Sequence, residues 1–355
     1  LIQSLQRIFH KCRGFSEEYF IPLRAAADGR PTNADGHTLC IQGLMTENSR
    51  QETFESFIQN DESMRLSGRR ESNHVEDRRG MGAGAKAGIG GIGGVILIAL
   101  LTLLGGGDLG DVVNNVVTQE MQQSRMTEAQ APNQREFTEE EQELAKFSRQ
   151  ILAGTEDVWT EEFKKMGRQY VPPTLVLFTN SVQSACGGAT SSVGPFYCSA
   201  DQKLYIDLSF FSSMKSQLGA DGDFAYAYVI AHEVGHHVEY LLGILDRAHQ
   251  QMNQVGKAEA NRISVRLELL ADYYAGVWAH YDNERFQSLE PGDIEEAVDC
   301  AQKIGDNYLQ EKARGYSVPE SFTHGTSKQR MKWLKLGLEK GDMNITTFDK
   351  SDAEL

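Results

Sequence analysis

Five consecutive residues, His232-Glu233-Val234-Gly235-His236, set two imidazoles and a carboxylate within one helical turn. On an α-helix positions i and i+4 stack on one face. Two neutral imidazoles placed that way can hold one Zn²⁺, and Glu233, beside the first, can reach a water on that metal. The chain carries nine histidines, so a motif this short needs context. The plain alternative is a polar helix face with three unrelated residues on it.

The neighbouring residues supply that context. Phe224 to Ala231 is apolar and rich in helix formers, and Val238, Leu241, Leu242 and Leu245 extend an apolar stripe beyond the motif. Burying unpaired imidazoles in such a helix costs roughly a few kcal/mol each; a shared metal removes that cost. His237 points about 100° away from His236 and reads as a residue that packs or hydrogen-bonds nearby.

A catalytic zinc usually keeps three protein ligands and leaves the fourth position to water. The third is expected from a second helix, Val265 to Gly276, where Glu268 and Asp272 are four apart among Leu267, Leu269, Leu270 and Ala271. Two acids on an apolar face need partners. Glu268 as the third ligand and Asp272 as acceptor of a ligand histidine's other N–H satisfy both. A solvated acidic stripe fits such apolar flanks poorly. One zinc per chain is the expectation.

H-E-x-x-H followed by E-x-x-x-D resembles the gluzincins, with thermolysin as a distant relative, although Leu267 stands where thermolysin-type enzymes carry a polar Asn. The Glu-Leu-Leu-Ala-Asp form looks more like the E-x-x-A-D of the membrane-bound prenyl-protein proteases. Phe322-Thr-His324-Gly-Thr-Ser-Lys-Gln-Arg330-Met resembles their H-P-[ST]-x-x-x-R-I segment, with Gly325 in place of the Pro. Three further stretches, Met64 to Gly80, Gly194 to Leu208 and Pro319 to Gly325, are similar to the putative neutral zinc metallopeptidase family of bacterial membrane-anchored proteins. That resemblance runs from about Met64 to about Gly341. It implies a zinc-dependent peptidase with a single N-terminal anchor. It also implies a zincin-like fold, with a small mixed or antiparallel sheet packed on the H-E-x-x-H helix. His324 resembles the histidine that stabilises the oxyanion in related gluzincins; a helix-capping or surface histidine is the alternative.

The elements that must position these groups follow from pattern. Thr138-Glu-Glu-Glu starts a helix with an N-cap and acids in the first turn. Pro172–Phe178 and Lys203–Leu208 read as strands, and Gly194 to Tyr197 is expected to start a hairpin with the second. Helical patterns follow near 222–246, 257–283, 292–313 and 326–340. A small sheet followed by helices is an α+β domain, assigned to residues 135–345 with a tail at 346–355. Lys203 to Leu208 is expected to be an edge strand able to pair with an extended peptide substrate.

The chain has 355 residues and a net charge of −15 with no basic stripe, which excludes a nucleic-acid partner of the usual kind. From Ala87 to Gly107 there is no charged residue, and only Val95 to Leu104 is strongly apolar. With no A-x-A-like cleavage site after it, the run reads as an uncleaved transmembrane anchor rather than a signal peptide. Arg65, Arg69, Arg70, Arg78, Arg79 and Lys86 precede it, so residues 64–86 read as a basic cytoplasmic tail. The zinc motifs then stand outside a bacterial inner membrane. Residues 108–134 read as a linker, and residues 1–63 as a disordered or non-native extension. Of five cysteines, Cys12 and Cys40 lie in that extension, Cys300 reads as a buried thiol, and Cys186 and Cys198 read as a disulfide.

In this reading His232, His236 and Glu268 hold zinc, Glu233 is the general base, and His324 steadies the oxyanion. The competing class is a membrane-anchored binding module in which zinc is a structural staple. Structural sites favour four ligands and cysteine, and neither is evident.

Overall fold

The computed structural model describes residues 64–80 and 136–355, together with two short strands, β1 (Arg24–Ala25) and β2 (Pro31–Thr32). Residues 1–61 and 62–355 form separate units. In the first, β1 and β2 pair antiparallel. The expected anchor at 87–107, the linker at 108–134, residues 81–86, and Cys12 and Cys40 lie outside the described residues.

The second unit is α+β. Its sheet has the order β3-β4-β8-β7, with β3 (Val75–Asp77), β4 (Thr174–Phe178), β7 (Phe196–Cys198) and β8 (Lys203–Asp207). β3 and β8 both run parallel to β4, while β7 runs antiparallel to β8. Side chains alternate across the sheet. Leu175, Leu177, Leu204 and Ile206 face the main helical core. Val176, Phe178, Phe196 and Tyr205 face a small second core with Ala189. The hairpin β5 (Ser181–Ser184) and β6 (Gly187–Thr190) covers that second face, and a Cys186–Cys198 disulfide ties its turn to β7.

α1 (Glu139–Lys165) opens on a capping box. The Thr138 hydroxyl accepts the Glu141 N–H, and the Glu141 carboxylate accepts the Thr138 N–H. Beyond the sheet come α2 (Ser209–Ser213), α3 (Asp223–Leu241), α4 (Ile244–Met252) and α5 (Lys257–Phe286). They are followed by α6 (Asp293–Lys303), α7 (Asp306–Arg314) and α8 (Ser327–Lys340). The pattern near 222–246 is two helices, because the chain turns at Gly243 with φ of 70°. The pattern near 292–313 likewise divides, at Ile304 and Gly305. Among the described residues no helix is long and apolar enough to cross a membrane.

Three expectations change. Lys203–Leu208 does not form an edge strand: β8 is flanked on both sides, and the edges are β3 and β7. Residues 64–80 are part of the folded unit, with Met64 buried and β3 in the sheet. Residues 346–355 also pack on the domain, where Arg266 donates to the Thr347 and Lys350 carbonyls and Leu355 is buried. Both segments are polar in composition. Their order comes from partners far away in sequence, which no local pattern reveals.

Candidate metal centre

α3 and α5 approach until backbone meets backbone. A Cβ on Gly235 would lie 2.8 Å from the Ala271 carbonyl oxygen, so the glycine inside the H-E-x-x-H stretch is what admits the second helix. The approach brings His232 and His236 from α3 to Glu268 on α5, with one ligand atom from each lying within 4.8 Å of the others. Nε2 of His232 is 3.2 Å from Oε2 of Glu268, and Nε2 of His236 is 3.6 Å from Oε1. Donors around 2.0–2.1 Å from a tetrahedral zinc stand about 3.3 Å from each other, so the spacing fits. Oε2 of Glu268 is buried and faces Nε2 of His232. An anionic oxygen buried against an imidazole nitrogen is costly unless a proton or a cation lies between them, and a cation among these three groups meets that need. Burial works against ionising Glu268, yet His324, His232 and His236 hold its pKa well below the usual carboxylate range.

Each imidazole is oriented by a carboxylate on its far side. His232 donates from Nδ1 to Asp272 at 2.9 Å, and His236 donates from Nδ1 to Glu239 at 2.9 Å. With a metal bound, these bonds would fix the tautomer that turns both Nε2 lone pairs toward it. Asp272 is itself held three ways. The Tyr228 hydroxyl donates to it at 2.6 Å, and the Arg330 guanidinium grips both oxygens at 2.8 Å. Burial alone would raise the pKa of Asp272; Arg330 overrides it and the carboxyl sits at about 2. Arg330 comes from α8, which crosses α5 at two glycines. A Cβ on Gly276 would fall 2.2 Å from the Leu334 carbonyl oxygen, and one on Gly337 2.0 Å from that of Tyr273.

Glu233 is buried beside the first histidine, and burial raises its pKa while the two imidazoles and the Tyr197 backbone pull the other way. Tyr197 belongs to β7, which is an edge strand among the described residues, so that edge of the sheet runs beside this carboxylate. His237 is turned away from the pair. Its Nε2–H donates to the Val171 carbonyl at 2.7 Å, and Nδ1 accepts from the Tyr197 hydroxyl at 2.8 Å. Burial lowers its pKa to about 4, so it is a neutral packing residue, as its helical angle predicts.

His324 is buried rather than on the surface. Asp306, the first residue of α7, accepts its backbone N–H at 2.7 Å and faces Nδ1 at 3.1 Å. Gly325 in the same loop lies against Leu269 and Val265 of α5, and His324 is near enough to Glu268 for each to shift the other's pKa. The structure thus brings His232, Glu233, His236, Glu268, Asp272 and His324 into one neighbourhood. Sequence reasoning missed Glu239 and Asp306 and gave Arg330 no role. Glu239 carried a usable signal, an acid three residues after His236 on an apolar helix. Asp306 carried none.

The family described as "putative neutral zinc metallopeptidase" matches residues 64–348. The uncharacterized protein YpfJ of Escherichia coli (strain K12) is 48% identical over 295 residues, covering 81% of this chain and 100% of its own length. The uncharacterized protein Rv2575 of Mycobacterium tuberculosis (strain ATCC 25618 / H37Rv) is 44% identical over 194 residues, covering 52% of this chain and 64% of its own. No solved structure matches the chain.

Proposed function

This chain belongs to the putative neutral zinc metallopeptidase family, and from that premise we propose that it is a zinc endopeptidase with a zincin-like arrangement of sheet and helices. The observation that carries the reading is the convergence of three donors, with Glu268 oxygens 3.2 and 3.6 Å from Nε2 of His232 and His236 and the His232 ring held from behind by Asp272. His232, His236 and Glu268 would hold one zinc per chain. Zinc bound there supplies Lewis acidity, which lowers the pKa of a water toward about 7.

The protein's own groups do the rest. Glu233 accepts the proton of the attacking water and returns it to the amine that leaves as the peptide bond breaks. His324, braced by Asp306, donates a hydrogen bond to the oxygen that becomes negative. Asp272 and Glu239 keep the two imidazoles in place. An extended peptide pairs with the free edge of β7, next to Glu233, so backbone hydrogen bonds carry much of the affinity. The charge-free run 87–107 attaches the chain to a membrane, with the zinc domain on the extracytoplasmic side of a bacterial inner membrane. The Cys186–Cys198 disulfide supports that side, since such bonds persist in oxidising compartments.

Glu233→Gln tests the reading. Hydrolysis of a diverse peptide library should be chelator-sensitive in the wild type and fall about 10²–10⁴-fold in the variant, with zinc content unchanged. No chelator-sensitive hydrolysis in the wild type would favour a structural-zinc binding module. Loss of zinc from the variant would overturn the ligand assignment.

A further inference from the structure

We propose that residues 64–80 and 136–355 stand on the same side of any membrane to which the chain is attached. This does not depend on the peptidase reading. The two segments share one sheet. β3 pairs in parallel with β4 in the register Val75↔Leu175, Glu76↔Val176 and Asp77↔Leu177. The Leu175 N–H donates to the His74 carbonyl at 2.9 Å, and the Arg78 N–H to the Leu177 carbonyl at 2.8 Å. Nor is the pairing superficial. Asp282, 1% exposed on α5, has both oxygens gripped by Arg69 at 2.5 and 2.8 Å. Without residues 64–80 a buried carboxylate would lose its counter-charge.

The ends of the intervening segment also meet. The Arg79 guanidinium lies 4.2 Å from the centroid of the Phe137 ring and donates to the Glu141 carbonyl at 2.7 Å. Residues 79 and 137 thus lie side by side. One crossing would put a hydrocarbon layer of about 30 Å between residues that touch. The arginines that make the flank look cytoplasmic have another explanation. Arg65 pairs with Glu290, Arg69 with Asp282, Arg70 with Glu156 and Asp157, Arg78 with Glu76, and Arg79 with Asp77. Five of the six basic residues before the run are thus engaged with carboxylates of the folded unit. The strongly apolar stretch, Val95 to Leu104, is ten residues, half of the ~20 that a spanning helix needs.

The test is site-directed labelling of the full-length chain expressed in Escherichia coli. Asn73→Cys and Lys350→Cys, both at exposed positions, are treated with a membrane-impermeant maleimide in intact and in lysed cells, and labelled peptides are read by mass spectrometry. Equal labelling of the two sites in intact cells is expected. Labelling of one site in intact cells and of the other only after lysis overturns the proposal. Labelling of both only after lysis upholds the shared side and instead overturns the extracytoplasmic placement of the zinc domain.

Discussion

Arg330 and Asp272 form an ion pair in which neither side chain is exposed, two nitrogens meeting two oxygens at 2.8 Å. A planar fork matched to a carboxylate fixes orientation as well as charge. Asp272 in turn orients His232, so a residue 98 positions away in sequence sets the direction of that imidazole.

Arg330→Met should therefore act twice. It leaves the buried Asp272 with only Tyr228 and His232 as partners, and loss of a buried ion-pair partner costs up to about 3–5 kcal/mol, read by urea unfolding of metal-free protein. It also loosens His232, and zinc affinity should drop about 10–100-fold in a chelator competition. Wild-type affinity in a folded Arg330→Met protein would remove Arg330 from the metal centre.

Glu239→Ala should separate holding the metal from using it. With its Nδ1 partner gone, His236 binds zinc about 10–100-fold more weakly, yet hydrolysis should recover at saturating zinc. Glu233→Gln should not recover under the same titration. If excess zinc fails to restore Glu239→Ala, Glu239 does more than orient His236.

His324→Ala should lower kcat about 10²–10³-fold, the usual cost of losing one oxyanion donor, with zinc content intact. Asp306→Asn should move the same way but less far, since the asparagine oxygen can still accept the His324 N–H. Zinc loss in either variant would make this pair part of the metal site instead.

A pH effect is expected away from the metal. Asp223, Asp293 and Glu296 crowd together at the starts of α3 and α6. Burial, with Asp223 adding to it, raises Asp293 to about 6 and Glu296 to about 7. The folded chain therefore holds protons that the unfolded chain releases near pH 4. The contribution of this cluster to stability is greatest below that value and is lost as pH rises through about 6 to 7. Glu296→Gln should raise the melting temperature at about pH 8, with the gain shrinking as pH falls and vanishing toward about pH 4. An equal gain at both pH values would contradict a titrating origin.

The convergence of the side chains at the candidate metal centre was legible because helical spacing is a local rule. His232, His236, Glu268 and Asp272 each sit four residues from a partner on an apolar face, and the capping box at Thr138 is equally local. Arg330 and Asp306 act across 58 and 18 positions, beyond any periodicity. β3 was hidden for a different reason. Val75-Glu76-Asp77 offers one apolar residue in three, and its register comes from the ladder of β4 rather than from its own alternation.

The crossing of α5 and α8 is a pivot. Gly276 stands one helical turn from Asp272, and Gly337 two turns from Arg330, or about 6 and 10 Å along the helix axes. An added methyl at either glycine meets a carbonyl near 2 Å, so the helices must part or tilt. Over a 10 Å arm, a tilt of about 6° moves Arg330 by about 1 Å, enough to break a bidentate grip whose bonds vary by a few tenths. The candidate metal centre is thus exposed to damage at places remote from its three proposed ligands. Variants there would resemble ligand mutants in their zinc content while looking, on a map of contacts, like harmless changes between two helices.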